Sequence, residues 1–139
     1  MKAIVCGSRD YNDQDAVLQV LTTQFKHDPD LVIAHGGAKG ADSIADSVAR
    51  TLGIPIMRFQ ANWQRDGKAA GPIRNKTMFH VFQPDYVLAF SGHFETSRGT
   101  RHMAAYALSR NCQVTLIERT GGMVFSRDLS LDDVSGVRL

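Results

Sequence analysis

The sequence predicts an α/β fold in which a mostly parallel, five-stranded sheet has helices on both faces. Three observations support this: five short runs rich in Val and Ile, helical patterns between the runs, and no alternation of polar and apolar residues within them. Strands buried on both faces have no polar side, and strands separated by helices pair in parallel. The 139 residues, 43% hydrophobic and 22% charged, suffice for one domain with a buried core.

The predicted strands are short apolar runs that end in polar or glycine residues. Val and Ile are favoured in strands, and each run has the length of an ordinary buried strand. The runs are Ala3–Cys6, Leu31–Ala34, Ile54–Phe59, Tyr86–Phe90 and Gln113–Ile117.

The four predicted helices lie between these runs and carry apolar residues at helical spacing. Asp13 or Asp15 is placed to cap the first helix, and Gly53 is typical of the position just after a helix end. Pro72 precedes the third helix, as expected for proline at a first helical turn. The helices are predicted at Ala16–Phe25, Ala41–Leu52, Ile73–Phe82 and Thr100–Ser109.

Residues 119–139 are predicted to be a C-terminal extension packed on the domain formed by residues 1–118. Gly121 and Gly122 mark a turn, and the run Met123–Ser126 after it fits an added edge strand. Residues 128–139 alternate charged and aliphatic side chains, so we expect this last part to pack loosely.

The net charge and the positions of the cysteines limit the classes of function that fit this sequence. The net charge of +2 is too small to predict nucleic-acid binding by itself. Cys6 and Cys112 lie in apolar runs, so we expect reduced core residues, and no Cys/His spacing typical of a metal site occurs. No run resembles a secretion signal or a membrane span. The sequence therefore predicts a cytoplasmic protein that requires no metal or other cofactor.

Polar and glycine residues follow four of the five predicted strands. Ligands of open parallel sheets bind at the carboxyl ends of the strands, near the point where strand order reverses. A polar loop at one strand end is ordinary, but four on the same rim indicate a binding site. The segments are Gly7–Asp10, His35–Asp42, Gln60–Gly71 and Ser91–Arg101.

The segment His35–Asp42, which reads HGGAKGAD, is typical of an anion-binding loop at a helix start. Its backbone N–H groups are expected to face a phosphate, with the dipole of the second helix behind them. Glycine there permits close approach of the backbone or a positive φ. The amides belong to Gly36, Gly37, Ala38, Lys39 and Gly40.

This loop matches neither common nucleotide-binding fingerprint. Gly37 and Gly40 fit the last two glycines of GxGxxG, but His35 replaces the first. A Walker loop is excluded because Lys39 precedes the last glycine and Ala41 follows it. His35 is therefore expected to line the site or to pack beside it.

Basic and hydroxyl residues at the other strand ends are placed to complete an anion site. Arg9 follows a small turn of Gly7 and Ser8, where a phosphate or carboxylate contact is favoured. Arg74 and Asn75 lie near the start of the third helix. At the start of the fourth helix, Gly99 and Thr100 offer N–H groups and a hydroxyl.

Two residues allow two interpretations each. Trp63, the only tryptophan, either stacks on a base or ring, or caps the rim of the sheet. Asp42 either binds a ribose hydroxyl or favours the helix dipole. Both are counted among the candidate ligand-binding residues.

Four of these segments resemble motifs of the SLOG superfamily, in order and with similar spacing. They are Gly7-Ser8-Arg9, HGGAKGAD, GPIRNKTM (Gly71–Met78) and RGTRHM (Arg98–Met103). The likeness is greatest to the YspA-like, cpYpsA-related branch, which is frequent in bacteria, phages and mobile elements, and it covers about residues 1–118. It implies a Rossmann-like fold that binds nucleotides or nucleotide-derived ligands and, because relatives often form oligomers, a homo-oligomer.

The wider superfamily includes LOG-type phosphoribohydrolases, whose fourth loop reads PGGxGTxxE. In those enzymes an arginine before the third helix and the glutamate after GT hydrolyse an N-glycosidic bond. The resemblance places Arg74 at that arginine and Gly99-Thr100 at GT, but no glutamate follows. Glu95, in the longer loop before them, is the candidate replacement, so Arg74 and Glu95 form the candidate catalytic pair.

Three functions follow from these features. The first is binding or sensing of a nucleotide-derived small molecule, which requires no catalytic carboxylate. The second is hydrolysis of a nucleoside 5′-monophosphate to base and ribose 5-phosphate, with Glu95 or Asp42 as acid or nucleophile. The third, which the small net charge disfavours, is single-stranded nucleic-acid binding as in DprA-type relatives. Its contacts would come from Lys39, Arg65, Lys68, Arg98 and Arg101, with Trp63 or Phe94 stacking on bases.

Overall fold

Six strands form one sheet in the order β3-β2-β1-β4-β5-β6. The computed structural model describes all residues from Met1 to Leu139. The first five strands are parallel, and β6 is antiparallel to β5. The strands are β1 (Lys2–Gly7), β2 (Val32–His35), β3 (Ile56–Arg58), β4 (Tyr86–Phe90), β5 (Gln113–Thr120) and β6 (Met123–Asp128).

The predicted count of five strands is wrong, because β6 adds an antiparallel edge. Gly121 and Gly122 both have positive φ, +58° and +80°, and form the two-residue turn between Thr120 and Met123. Such a turn matches the twist of a hairpin, so β5 continues to Thr120 instead of ending at Ile117.

Four of the five helices pack on the two faces of the sheet. On one face, Val17, Leu21, Ala45 and Val48 share a buried cluster with β1 and β2. On the other, a second cluster includes Met78, Phe82, Met103 and Ala104. The helices are α1 (Gln14–His27), α2 (Ala41–Leu52), α3 (Trp63–Asp66), α4 (Ala70–Phe82) and α5 (Arg98–Ser109).

Local hydrogen bonds explain where the helices begin. Asp13, and not Asp15, caps α1, accepting a hydrogen bond from the Ala16 N–H at 3.1 Å. Asn62 caps α3 through the Arg65 N–H at 3.0 Å. The short helix α3 and a 3-10 turn at Gly67–Ala69 lead directly into α4, which therefore begins three residues before the predicted Ile73.

The last residues pack against α5 instead of loosely. Leu129 and Val134 are buried in the core. The Arg101 guanidinium donates hydrogen bonds to the carbonyls of Asp133 at 3.1 Å and Ser135 at 3.4 Å. A side chain that the sequence suggested for phosphate contact thus holds the C-terminal segment.

Two further features concern the whole chain. Both cysteines are free and buried, as the sequence predicts. None of the helices combines the length and apolar character needed to cross a bilayer.

Asp46 on α2 ties that helix to the ends of two strands. Its carboxylate accepts hydrogen bonds from Arg50 Nε at 2.6 Å, His35 Nε2 at 2.7 Å and Arg58 Nη2 at 2.9 Å. Burial opposes its ionisation, but these three hydrogen bonds outweigh burial and hold the pKa of the Asp46 carboxyl well below its usual range.

We expect Asp46→Asn to lower the free energy of unfolding at neutral pH by about 2 kcal/mol. Since the pKa is depressed in the folded state, this stabilisation is present above the unfolded pKa of about 4 and is lost as pH falls through the folded pKa. Urea denaturation at pH 7 and in steps below pH 4 measures the difference. Asp30→Asn, at an exposed position, is the control and should change little. A pH-independent difference for Asp46→Asn would contradict the prediction.

Candidate functional site

The largest cavity lies at the carboxyl ends of β1 and β4, where strand order reverses. β1 has β2 on one side and β4 on the other, so the loops after these strands diverge to opposite faces. The cavity has a volume of about 750 Å³, within the range of small-molecule sites. Its lining comes from the end of β1, from the segments after β1, β2 and β4, and from α3, α4 and the start of α5.

Most of the candidate binding residues line this cavity. They are Gly7, Ser8, Arg9, Gly36, Ala38, Asp42, Trp63, Arg74, Asn75, Gly99 and Thr100. Four others, His35, Gly37, Lys39 and Gly40, do not line it, although Gly37 and Lys39 line a smaller cavity beside it.

The HGGAKGAD loop is held by hydrogen bonds from its own backbone N–H groups to its Asp42 carboxylate. Asp42 Oδ2 accepts hydrogen bonds from the N–H groups of Gly36 at 3.1 Å and Ala38 at 3.2 Å. The Gly37 N–H donates to His35 Nδ1 at 2.9 Å. Three of the five amides that the sequence assigns to a phosphate are therefore occupied within the loop.

The glycines of this loop permit close packing against neighbouring segments. A Cβ on Gly36 would lie 2.2 Å from Arg74 Nη1. Gly40 has φ +76°, and a Cβ there would lie 2.3 Å from the Ser8 carbonyl oxygen and 2.4 Å from that of Arg9. These two glycines thus allow the loop to pack closely against Arg74 of α4 and against the segment after β1.

His35 is held on both sides of its ring. Because a backbone N–H can only donate, Nδ1 accepts from Gly37 and the ring proton lies on Nε2, which donates to Asp46. His35 therefore packs beneath the loop, the second of its two predicted positions.

Asp42 is buried beside the cavity with one oxygen unbound by protein. Oδ2 takes both amide hydrogen bonds, and Oδ1 has no hydrogen-bond partner. Burial raises the pKa of Asp42, against the opposing effect of the Ala38 and Gly36 amides, of His35 and of Arg74.

Arg74 connects the two walls of the cavity, one formed by the segments after β1 and β2 and the other by α4 and the start of α5. Its Nη1 donates to the Gly36 carbonyl at 2.7 Å, and its Nε donates to Asn75 Oδ1 at 3.0 Å. Asn75 Nδ2 in turn donates to His102 Nδ1 at 3.1 Å. Burial lowers the pKa of Arg74, while the nearby Asp42 carboxylate opposes this effect.

His102 belongs to this network, although sequence patterns give it no role. It is 94% buried, since its exposed fraction is 6%, and its Nε2 has no partner. Burial, and then the charge of Lys76, lower the pKa of His102, which favours the neutral ring. Its place one turn into α5, two residues after the GT pair, is the signal that could have marked it.

Positive charge dominates the cavity lining. Arg9, Lys68, Arg74 and Arg98 all line it, and none of them forms a salt bridge. Arg9 lies over the Trp63 ring, with its Cζ 5.3 Å from the ring centroid. Lys68 and Arg98 did not stand out as small-ligand contacts in the sequence, because each is a single basic residue in a polar segment.

The Asp10 carboxylate beside the cavity is paired with a histidine from the opposite loop. His93 Nε2 lies 2.8 Å from Asp10 Oδ1. The hydrogen bond and the charge of Asp10 raise the pKa of His93. The four cations of the lining outnumber its two carboxylates, those of Asp10 and Asp42.

Glu95 does not line the main cavity. Its side chain is 83% exposed, lies 3.5 Å from Arg101, and borders a separate depression. Met103, which stands where the PGGxGTxxE pattern has its glutamate, is fully buried in the core. Neither residue presents a carboxylate to the cavity.

The contacts suggested for single-stranded nucleic acid come together only in part. Phe94 is buried under Arg101, whose Cζ lies 5.4 Å from the ring centroid. Arg65 is paired with Asp66. Of that set, Lys39, Trp63, Lys68 and Arg98 border the main cavity or the smaller one beside it. No group of three or more His, Cys, Asp or Glu side chains is placed to hold a metal ion.

Comparison with known proteins gives the family to which the sequence is similar. Residues 1–65 match the model of the family described as YspA, cpYpsA-related SLOG family. Gene 61 protein of Mycobacterium phage D29 is 37% identical over 107 residues, which cover 73% of this chain and 83% of the phage protein. The matched segment 1–65 contains the Gly7-Ser8-Arg9 turn and the HGGAKGAD loop, the first wall of the cavity.

Proposed function

The chain belongs to the YspA, cpYpsA-related SLOG family, and we propose on that basis that its main cavity binds a nucleotide or nucleotide-derived ligand. The carrying observation is the set of four cationic side chains around one cavity, none of them in a salt bridge. Unpaired cations in a concave site attract an anionic ligand, and a phosphate provides that anion.

We place the phosphate at the start of α5 and not at the HGGAKGAD loop. The Gly36 and Ala38 amides already donate to Asp42, whose carboxylate would repel a phosphate if ionised. At α5, the first-turn N–H groups of Gly99 and Thr100 border the cavity, and Arg98 and Arg74 supply charge.

The organic part of the ligand then lies toward Trp63 and Asp42. Trp63 is half-exposed, and its ring gives a base a surface to stack on. The free Oδ1 of Asp42 accepts a hydrogen bond from a ribose hydroxyl or an exocyclic amine. This arrangement uses both walls of the cavity.

Thermal unfolding with a panel of nucleotides and matched nucleosides tests the proposal. We expect a nucleotide such as AMP to raise the melting temperature, because a ligand that binds only the folded state stabilises it, and adenosine to have a smaller effect. Arg98→Gln should reduce the shift, whereas Arg138→Gln, an exposed position outside the cavity, serves as the charge-matched control. A panel without any shift at millimolar concentrations would refute the proposal.

One observation favours hydrolysis of the N-glycosidic bond as a second candidate function. Asp42 is buried, lines the cavity near Arg74 and has a raised pKa, properties of a general acid that protonates a departing base. Incubation with nucleoside 5′-monophosphates, followed by chromatography of free base, tests this activity. Nucleotide binding without release of free base would rule out hydrolysis and leave binding as the function.

We expect Asp42→Asn to keep the fold and to change how the free energy of unfolding depends on pH. The amide oxygen of asparagine still accepts from Gly36 and Ala38. Because the folded pKa of Asp42 is raised, its contribution to stability is complete below the unfolded pKa and is lost as pH rises through the folded pKa. Between pH 4 and 8 the free energy of unfolding should therefore fall less with rising pH in the variant than in wild type. The same pH dependence in both proteins would contradict a raised pKa of Asp42.

A further inference from the structure

A second, smaller cavity adjoins the proposed nucleotide site. Its volume is about 410 Å³, and Arg9, Trp63 and Arg74 line both cavities. These three side chains therefore form a common wall. The smaller cavity is completed by Gly37, Lys39, Gln60 and Ala61, together with Gly36 and Ala38, which it also shares.

The smaller cavity offers its own polar contacts. Lys39 and Gln60 are exposed and form no hydrogen bond or salt bridge through their side chains. They supply one positive charge and one amide, which suit the hydroxyl, carbonyl and phosphate groups of a nucleoside unit. The volume also lies in the range of small-molecule sites.

The common wall carries charge that serves both cavities. Arg9 is stacked on Trp63, and Arg74 is fixed by its hydrogen bonds to Gly36 and Asn75. Two guanidinium groups at the junction match an anionic linkage that passes between the cavities. A mononucleotide would leave one of the two cavities empty.

We propose that the ligand is a dinucleotide, two nucleoside units joined through phosphates. One phosphate of the linkage lies at the start of α5 beside Arg74, and the other contacts Arg9 at the junction of the cavities. One nucleoside unit occupies the main cavity, and the other lies beside Lys39 and Gln60. This inference rests on the proposed nucleotide binding and specifies the class of nucleotide.

Titrations that follow the fluorescence of Trp63, the only tryptophan, test this inference. The probes are AMP and P1,P2-di(adenosine-5′) diphosphate. We expect the second probe to bind wild-type protein about tenfold more tightly, since its second unit adds contacts without a second loss of translational freedom. Lys39→Gln should lower the affinity for the dinucleotide about fivefold more than that for AMP.

These titrations distinguish the dinucleotide inference from the proposed nucleotide binding. Lys26→Gln, an exposed charge change on α1, is the matched control, and Gln60→Ala is a second variant in the smaller cavity. Equal wild-type affinity for both probes, or equal losses for both in Lys39→Gln and Gln60→Ala, would overturn the dinucleotide inference and leave nucleotide binding intact. Failure of both probes to bind wild-type protein would overturn both.

Discussion

Gly40→Ala is expected to lower the free energy of unfolding by about 3 kcal/mol or more. Gly40 adopts φ +76° and ψ −124°, a conformation open essentially to glycine alone. A Cβ there would also lie 2.3 Å and 2.4 Å from two backbone carbonyl oxygens, those of Ser8 and Arg9. Backbone atoms cannot yield as a flexible side chain does, so the loops after β1 and β2 have to separate.

Gly53→Ala is the matched control at the other end of α2. Gly53 also has a positive φ, +81°, but a Cβ there meets nothing within 4 Å. Its substitution should cost about 1 kcal/mol, the ordinary penalty for a non-glycine residue in that conformation. Urea denaturation of both variants gives the difference, and equal losses would show that the close approach of Gly40 to Ser8 and Arg9 is not required.

Arg74→Met is expected to weaken nucleotide binding about 10- to 100-fold, because it removes a cation from the junction of the two walls. The lost hydrogen bonds to the Gly36 carbonyl and Asn75 should also lower the free energy of unfolding by about 1–2 kcal/mol. Arg74→Lys keeps the charge but not the two-sided hydrogen bonding, so we expect an intermediate affinity. Isothermal titration calorimetry with the best nucleotide of the panel provides the dissociation constants.

Gly36→Ala changes the position of the Arg74 guanidinium but keeps its charge, so it tests the two effects separately. A Cβ on Gly36 would lie 2.2 Å from Nη1, at the flexible end of the Arg74 side chain, which has to move away. Because this movement breaks the hydrogen bonds to the Gly36 carbonyl and Asn75, the variant should lose about 1–2 kcal/mol of unfolding free energy, as Arg74→Met does, and should lose affinity although the charge is kept. Wild-type affinity in Gly36→Ala would mean that the contact of Arg74 with the loop is dispensable for binding.

The sequence predicts some elements to the residue, because their signals are local. α2 occupies Ala41–Leu52 and β4 occupies Tyr86–Phe90, as predicted. A glycine ends α2 in the left-handed conformation, and β4 is an uninterrupted apolar run. The convergence of polar strand ends follows in the same way from the geometry of a parallel sheet.

Other features depend on contacts between distant residues, which sequence patterns do not contain. The amides of HGGAKGAD look free in sequence, yet Asp42 of the same loop captures two of them. Arg101 looks available beside Gly99 and Thr100, but it binds carbonyls more than thirty residues later in the chain. In both cases a side chain satisfies backbone groups that a local pattern leaves open.

The central position of β1 has a consequence for synthesis of the protein. β1 is the first strand made, and its residue Ala3 pairs with Ile33 on one side and with Tyr86 on the other. A nascent chain can pair one edge of β1 once β2 has left the ribosome, whereas the other edge waits for β4. During that interval an apolar strand with an open edge is exposed, and such edges recruit other chains. We therefore expect translation pauses between residues 36 and 85 to promote aggregation or chaperone binding.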